Sequence, residues 1–249
     1  MNLENKTCLI TGGTRGIGAA TAIALAEHGA NVVLAARRID AEAGRVRTRV
    51  ESLGRRCVLI GADLGKAADA TSCVERTLAE FGALDVVVHS AGGPVNGGLF
   101  DITPAHWYAA FDLHVHAVFH LCRAALPGMR KRREGVIILV SSVAGLRGLR
   151  TNVAYQAVKG ALPQLARALA FEFASENVRI NCVAPGVIRT DFHSQMPEEV
   201  RRNNLENRIP LRREGRPDQA ATVIRELITN DYITGETFVV DGGLTMRIC

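Results

Sequence analysis

Short apolar runs rich in β-branched residues alternate with longer segments whose apolar positions recur every three or four residues. The short runs predict strands at TCLIT (7 to 11), NVVLAA (31 to 36), RCVLIGA (56 to 62), LDVVVHS (84 to 90), GVIILVS (135 to 141), VRINCVA (178 to 184) and TFVVD (237 to 241). The periodic segments predict helices over roughly 17 to 28, 40 to 53, 68 to 81, 104 to 126, 154 to 175 and 217 to 229. A helix between successive strands implies crossover connections and a parallel sheet, and strands apolar at nearly every position expect cover on both faces. The expected fold is therefore α/β: a single-domain Rossmann fold over residues 1–249, a doubly wound seven-stranded parallel sheet with helices on both faces. One segment, DFHSQMPEEVRRNNLENRIPLRREGR (191 to 216), breaks the rhythm with polar, proline-bearing sequence just after a strand. Such sheets carry ligand-covering loops there, so it is a candidate substrate lid.

Composition narrows the class. In 249 residues the hydrophobic fraction is 47% and the charged fraction 22%, and no apolar run is long enough to cross a bilayer, so no membrane partner is expected. The start, MNLENKTCLIT, lacks the basic and apolar regions of a signal peptide, which fits a cytoplasmic protein. Six scattered cysteines without CxxC pairs read as buried free thiols. A net charge of +5 is compatible with nucleic acid, but an aromatic fraction of 5% supplies few stacking platforms. No nucleic-acid partner is expected, since anionic small molecules explain local arginines equally well.

The first strand runs into TGGTRGIG, with Gly12, Gly16 and Gly18 opening a helix. Glycines there permit a tight turn and close approach to a pyrophosphate, which rests on the positive helix N-terminus. The second strand ends in Ala36, Arg37 and Arg38, where a carboxylate would select a free ribose 2′-hydroxyl and arginine a 2′-phosphate. With Arg15 inside the glycine turn, this points to NADP(H) over NAD; the alternative is a merely solvated helix start.

SSVAGLRGLRTNVAYQAVK (141 to 159), taken with TGGTRGIG, resembles the short-chain dehydrogenase/reductase family. The likeness covers nearly the whole chain and extends to Asp63-Leu64, SAGG (90 to 93), NCVAPGVIRT (181 to 190) and ITGETFVVDGG (233 to 243). It implies an NADP(H)-dependent oxidoreductase that interconverts a small-molecule carbonyl and a secondary alcohol. Tyr155 gives or takes the proton, Lys159 lowers its pKa and holds the nicotinamide ribose, and Ser142 orients the substrate. The spacing agrees, because Tyr155 and Lys159 share a helix face. The resemblance places cofactor contacts at Gly12, Thr14, Arg15, Gly16, Ile17 and Gly18 in the turn, at Arg37, Arg38, Asp63, Leu64, Ser90, Ala91 and Gly92 on the adenosine side, and at Tyr155, Lys159, Pro185, Gly186, Ile188 and Thr190 on the nicotinamide side.

Two positions depart from the family pattern. Ser90 and His114 both stand where asparagine is usual, and the second is the fourth catalytic position, behind the lysine in the proton relay. An imidazole also donates and accepts, and its ordinary pKa lies near neutrality, so His114 either sustains the relay or sits buried without a catalytic part. A second function therefore competes: a nucleotide-binding protein of the same fold whose catalysis is weak or lost. His116 and His120, at helical spacing, permit a zinc site in isolation; in this family they read as packing or subunit contacts, and no metal is expected.

Arg147 and Arg150 between Ser142 and Tyr155, and Arg201, Arg202, Arg208, Arg212 and Arg213 in the lid, suggest an anionic substrate; the alternative is a solvated loop. Within the family the chain resembles 3-oxoacyl-acyl-carrier-protein reductase-like members, and MRKRREG (129 to 135) offers a basic helix end for an acidic carrier, although Phe171 stands where those enzymes have a second basic residue; a sugar, polyol or xenobiotic carbonyl reductase is the alternative. The resemblance also implies a homotetramer, with the helices at 104 to 126 and 154 to 175 in one interface.

Overall fold

The computed structural model describes residues 1–193 and 196–246, with the side chain of His193 excepted. Seven strands form one parallel sheet: β1 (Thr7–Thr11), β2 (Asn31–Ala36), β3 (Cys57–Gly61), β4 (Val86–His89), β5 (Gly135–Val140), β6 (Val178–Pro185) and β7 (Thr237–Val240). Their order is β3-β2-β1-β4-β5-β6-β7, every pair parallel. All seven sit where the alternation of apolar runs places them, within two residues at either end.

The helices α1 (Gly16–Ala26), α2 (Ala41–Glu51) and α8 (Pro217–Thr229) cover one face, and α3 (Ala67–Phe81), α5 (Ala117–Arg132) and α6 (Val153–Phe173) the other. Alternate strand residues feed the two cores: Leu9 and Val33 face Leu121, Met129 and Leu162, whereas Ile10 and Leu34 face Leu25, Val50 and Ile224. Both sets are buried, and at about 25 cal/mol per Å² such burial is the main favourable term in the fold. Cys8, Cys57, Cys73, Cys122 and Cys182 are buried free thiols within these layers; Cys249 lies outside the described residues.

Local signals explain the helix ends. Asp40 caps α2 by accepting from Glu42 N at 3.1 Å and Ala43 N at 3.2 Å, Thr103 caps α4 (Pro104–Phe111), and Gly82 ends α3 in the left-handed conformation at φ +77°. The helix expected over 104 to 126 differs from its reading in two ways. It runs on to Arg132, and it is interrupted by a wide turn at Asp112–His116, where Ala117 N–H bonds to Asp112 O five residues back. One extra residue is thereby inserted without breaking the helix. The 191–216 segment holds a short helix, α7 (Glu198–Asn203), followed by a second wide turn at Asn204–Arg208.

The winding reverses between β1 and β4, which are neighbours in the sheet with their crossovers running opposite ways. Switch points of this kind open a crevice beyond the strands' carboxyl ends, and the candidate residues converge there.

Candidate active site

A cleft of about 950 Å³ crosses the carboxyl ends of the strands. Its wall includes Gly12, Thr14, Arg15, Gly16, Ile17, Arg37, Arg38, Asp63, Leu64, Ser90, Ala91, Gly92, His114, Ser142, Tyr155, Lys159, Pro185, Gly186, Ile188 and Thr190. Thus, of the catalytic and cofactor-contact residues singled out from sequence, all but Gly18 line one space. Gly18 acts behind the wall: a Cβ there would lie 2.2 Å from Gly12 O, so only glycine lets α1 start this close to the turn. Gly12 itself has φ +65°.

At one end of the cleft lie exposed charges. Arg15 Nη2 meets Asp40 Oδ2 at 2.8 Å and Glu42 Oε2 at 3.5 Å, while Arg37 and Arg38 are exposed and make no ion pair with the described residues. The Ala43 and Glu42 amides and the guanidinium hold the Asp40 carboxyl below its usual pKa. Sequence reasoning missed Asp40 as a partner for Arg15; its signal was an aspartate at a helix start within reach of the glycine turn.

At the other end the groups are buried. The strand β5 delivers Ser142 just past its end, and α6 carries Tyr155 and Lys159 on one face. Ser142 Oγ accepts from Ala144 N at 3.1 Å and lies close to the Tyr155 hydroxyl. Lys159 Nζ donates to Val140 O at 2.8 Å and lies 5.8 Å from the Tyr155 ring centroid. Burial pulls Lys159 down to about 8 and pushes the Tyr155 phenol up, with the nearby Ser142 hydroxyl acting against the rise.

His114 sits in the wide turn, 1% exposed, its ring edge-on to Tyr155 with centroids 6.0 Å apart. It packs directly on Gly92, where a Cβ would fall 2.5 Å from its Cε1, so the wall is shaped for this ring only with glycine opposite. Neither ring nitrogen has a well-formed hydrogen bond, and desolvation with the nearby Lys159 charge drives the imidazole down to about 2. The near-neutral titration expected of a histidine is thus removed by burial.

Behind it stands His89, which sequence reasoning passed over as part of strand VVVHS. It is 1% exposed, and its Nδ1 lies 3.0 Å from Thr11 Oγ1, which in turn accepts from Ala91 N at 3.2 Å. The ring also lies near the Leu113 backbone in the wide turn, and its Nε2 has no well-formed hydrogen bond. Burial and Lys159 lower His89 to about 3. The available signal was a lone histidine in an otherwise apolar central strand.

A family model described as Enoyl-(Acyl carrier protein) reductase matches residues 12–245. The 3-oxoacyl-acyl-carrier-protein reductase of Chlamydia muridarum is 34% identical over 244 residues, spanning 97% of this chain and 98% of its own. The chain belongs to the short-chain dehydrogenase/reductase family. Dehydrogenase/reductase SDR family member 4 of Oryctolagus cuniculus is 34% identical, over 99% of this chain and 96% of its own. In structure, the L-sorbose reductase of Gluconobacter frateurii, solved with NADPH and L-sorbose, superposes with a TM-score of 0.92 at 27% identity, over 100% of both chains.

Membership of this oxidoreductase family sorts the other candidates. His116 is exposed and pairs with Asp112 at 2.9 Å, and His120 lies beside Phe119 over a groove between α3 and α5; no cluster of three potential ligands occurs among the described residues. Arg147 and Arg150 are exposed and outside the cleft, so the substrate role suggested for them has no support in their placement. In the basic helix end, Arg130 pairs with Glu176, Arg132 donates to Leu84 O at 2.7 Å, and Arg133 donates to Ser175 O at 2.8 Å. Those three cations are engaged within the molecule. No described helix is long and apolar enough to cross a membrane.

Proposed function

We propose that the chain is an NADP(H)-dependent oxidoreductase that interconverts a carbonyl and a secondary alcohol, with Tyr155 as general acid/base. The observation that carries this reading is the convergence of Ser142, Tyr155 and Lys159 on one wall of a cleft whose far rim bears Arg15, Arg37 and Arg38. The glycine turn, whose Gly12 packs on the Ser90–Ala91 backbone where a Cβ would lie 2.8 Å from Ala91 N, and the arginine rim fit a phosphorylated dinucleotide. Bound there, the cofactor supplies or accepts the hydride at the substrate carbon. In reduction, Tyr155 Oη passes its proton to the substrate oxygen as charge develops there, and Ser142 Oγ, beside that hydroxyl, stabilises the same oxygen. Lys159, held from behind by Val140 O, carries the replacement proton inward. Pro185, Gly186, Ile188 and Thr190 bound the nicotinamide end, and the 191–216 segment is its lid. Tyr108, Phe119 and Phe171 stand exposed on α4, α5 and α6, as a homotetramer using those helices would have them.

A second reading rests on His114. A neutral imidazole with two unpartnered nitrogens at the fourth position supports a nucleotide-binding protein with weak turnover. NADPH oxidation across a panel of ketones, ketoacids and sugars separates the two. The first reading expects turnover that Tyr155→Phe cuts by about 10³-fold while NADPH binding persists. Tight NADPH binding without turnover in the natural protein favours the second.

A further inference from the structure

The arginines in and just before the 191–216 segment are engaged unequally. Arg201 and Arg189 both close on buried Glu214, at 3.3 and 3.1 Å. Arg208, by contrast, lines the cleft and has no carboxylate within ion-pair distance among the described residues. Its Nη1 donates to Asn204 Oδ1 at 2.8 Å, and Asn204, 3% exposed, is fixed in turn by an Nδ2 contact to Met196 Sδ at 3.4 Å. The wide turn closes this unit, with Ile209 N–H bonded to Asn204 O at 2.8 Å. One edge of the guanidinium is thereby tied back by a buried amide, and the remaining N–H groups are left to the cavity. Met196, Pro197 and Val200 give that end of the cavity apolar walls, where a charge-assisted bond is screened less than at the surface. Asp191 also lines the cleft and already has an interaction of its own.

We propose that Arg208 is the anchor for an anionic group on the substrate, so that the enzyme prefers a carbonyl compound bearing a carboxylate or phosphate to its neutral counterpart. This rests on the oxidoreductase reading and narrows the anion site from the loop and lid arginines together to Arg208, since Arg147 and Arg150 lie outside the cleft. Planar, fixed on one edge and always charged, an arginine so held suits two-point recognition of a carboxylate or phosphate.

The test uses the full-length protein loaded with NADPH, titrated calorimetrically with 4-oxopentanoate, 5-oxohexanoate and 6-oxoheptanoate and with the methyl ester of each. At least one acid is expected to bind about 30-fold more tightly than its ester, the worth of a charged hydrogen bond or two. Arg208→Gln brings that ratio to within about threefold and Arg208→Lys recovers part of it, while NADPH affinity and the thermal midpoint report that each variant is folded. Equal binding of acid and ester by the natural protein overturns the proposal, as does no binding of any acid. A ratio that survives Arg208→Gln overturns it too. Loss of NADPH affinity in a folded Arg208→Gln also overturns it, because the arginine would then serve the cofactor. Acid binding without any NADPH oxidation defeats the oxidoreductase reading instead and leaves the anion site standing.

Discussion

The two ends of the cleft hold charge in opposite ways. On the arginine rim Arg15 faces Asp40 and Glu42 with 40% of its side chain in water, and Arg37 and Arg38 are more open still. Exposed pairs of this kind contribute about 0 to 1 kcal/mol and are screened by salt. At the far end Lys159, His89 and His114 are buried, and three imidazole nitrogens there lack a well-formed partner. In that setting each unsatisfied polar atom costs about 1–3 kcal/mol, so the arrangement persists only because the surrounding fold enforces it. The rim is adjustable at small cost. The interior is not.

The largest effect that can break this contrast is acid sensitivity. His89 and His114 stay neutral in the fold, at about 3 and about 2, whereas the unfolded chain protonates both near 6.5. Their folded values are depressed, so stability is whole above 6.5 and drains away as pH falls toward the folded values. The loss is up to about 1.4 kcal/mol per pH unit for each histidine. Urea unfolding at pH 7 and pH 5 is expected to show the natural protein losing about 4 kcal/mol, and the His89→Asn/His114→Asn double variant far less. An equal loss in both would mean that the two imidazoles are not what the interior strains to keep neutral.

A middle-sized effect concerns the relay. With Lys159 near 8, reduction is expected to decline above that pH as the lysine gives up its proton. His114→Asn should change kcat by about tenfold and displace that alkaline limb, because the group edge-on to Tyr155 has been exchanged. Superimposable pH-rate profiles would make His114 mere packing. The smallest effect belongs to the rim. Arg37→Gln with Arg38→Gln should raise the NADPH KM about tenfold, and Arg15→Gln about threefold, since Arg15 must first leave Asp40 and Glu42. NADH kinetics should stay put, and both effects should shrink at high salt. A larger effect for Arg15 than for the pair would show that the carboxylates release it without cost.

What sequence conveyed followed from periodicity and from glycine. Fully buried parallel strands such as VVVH and GVIILV announce themselves by unbroken apolar runs, and the TGGTRGIG turn by glycines that no other residue replaces. Contacts between distant segments carried no such mark. Nothing local to Arg15 announces Asp40, and nothing in VVVHS ties His89 to Thr11 on the neighbouring strand. The wide turn at 112–116 was equally silent, because one additional residue leaves the apolar spacing on either side intact. The arginines misled for the same reason: sequence lists cations, but only folding decides that Glu214 absorbs Arg189 and Arg201 while Arg208 stays open to the cleft.

That wide turn also divides scaffold from wall by a single residue. An ordinary turn needs one residue fewer to cover the same advance. Shortening Asp112–His116 by one would let an unbroken α-helix run from Pro104 to Arg132, with the faces of α4 and α5 still in phase and Leu121 and Met129 still against the sheet. Only the bulging strip beside Gly92 would vanish, and His114's berth with it. The helix is complete without its extra member, which makes the imidazole a guest of the fold rather than one of its supports.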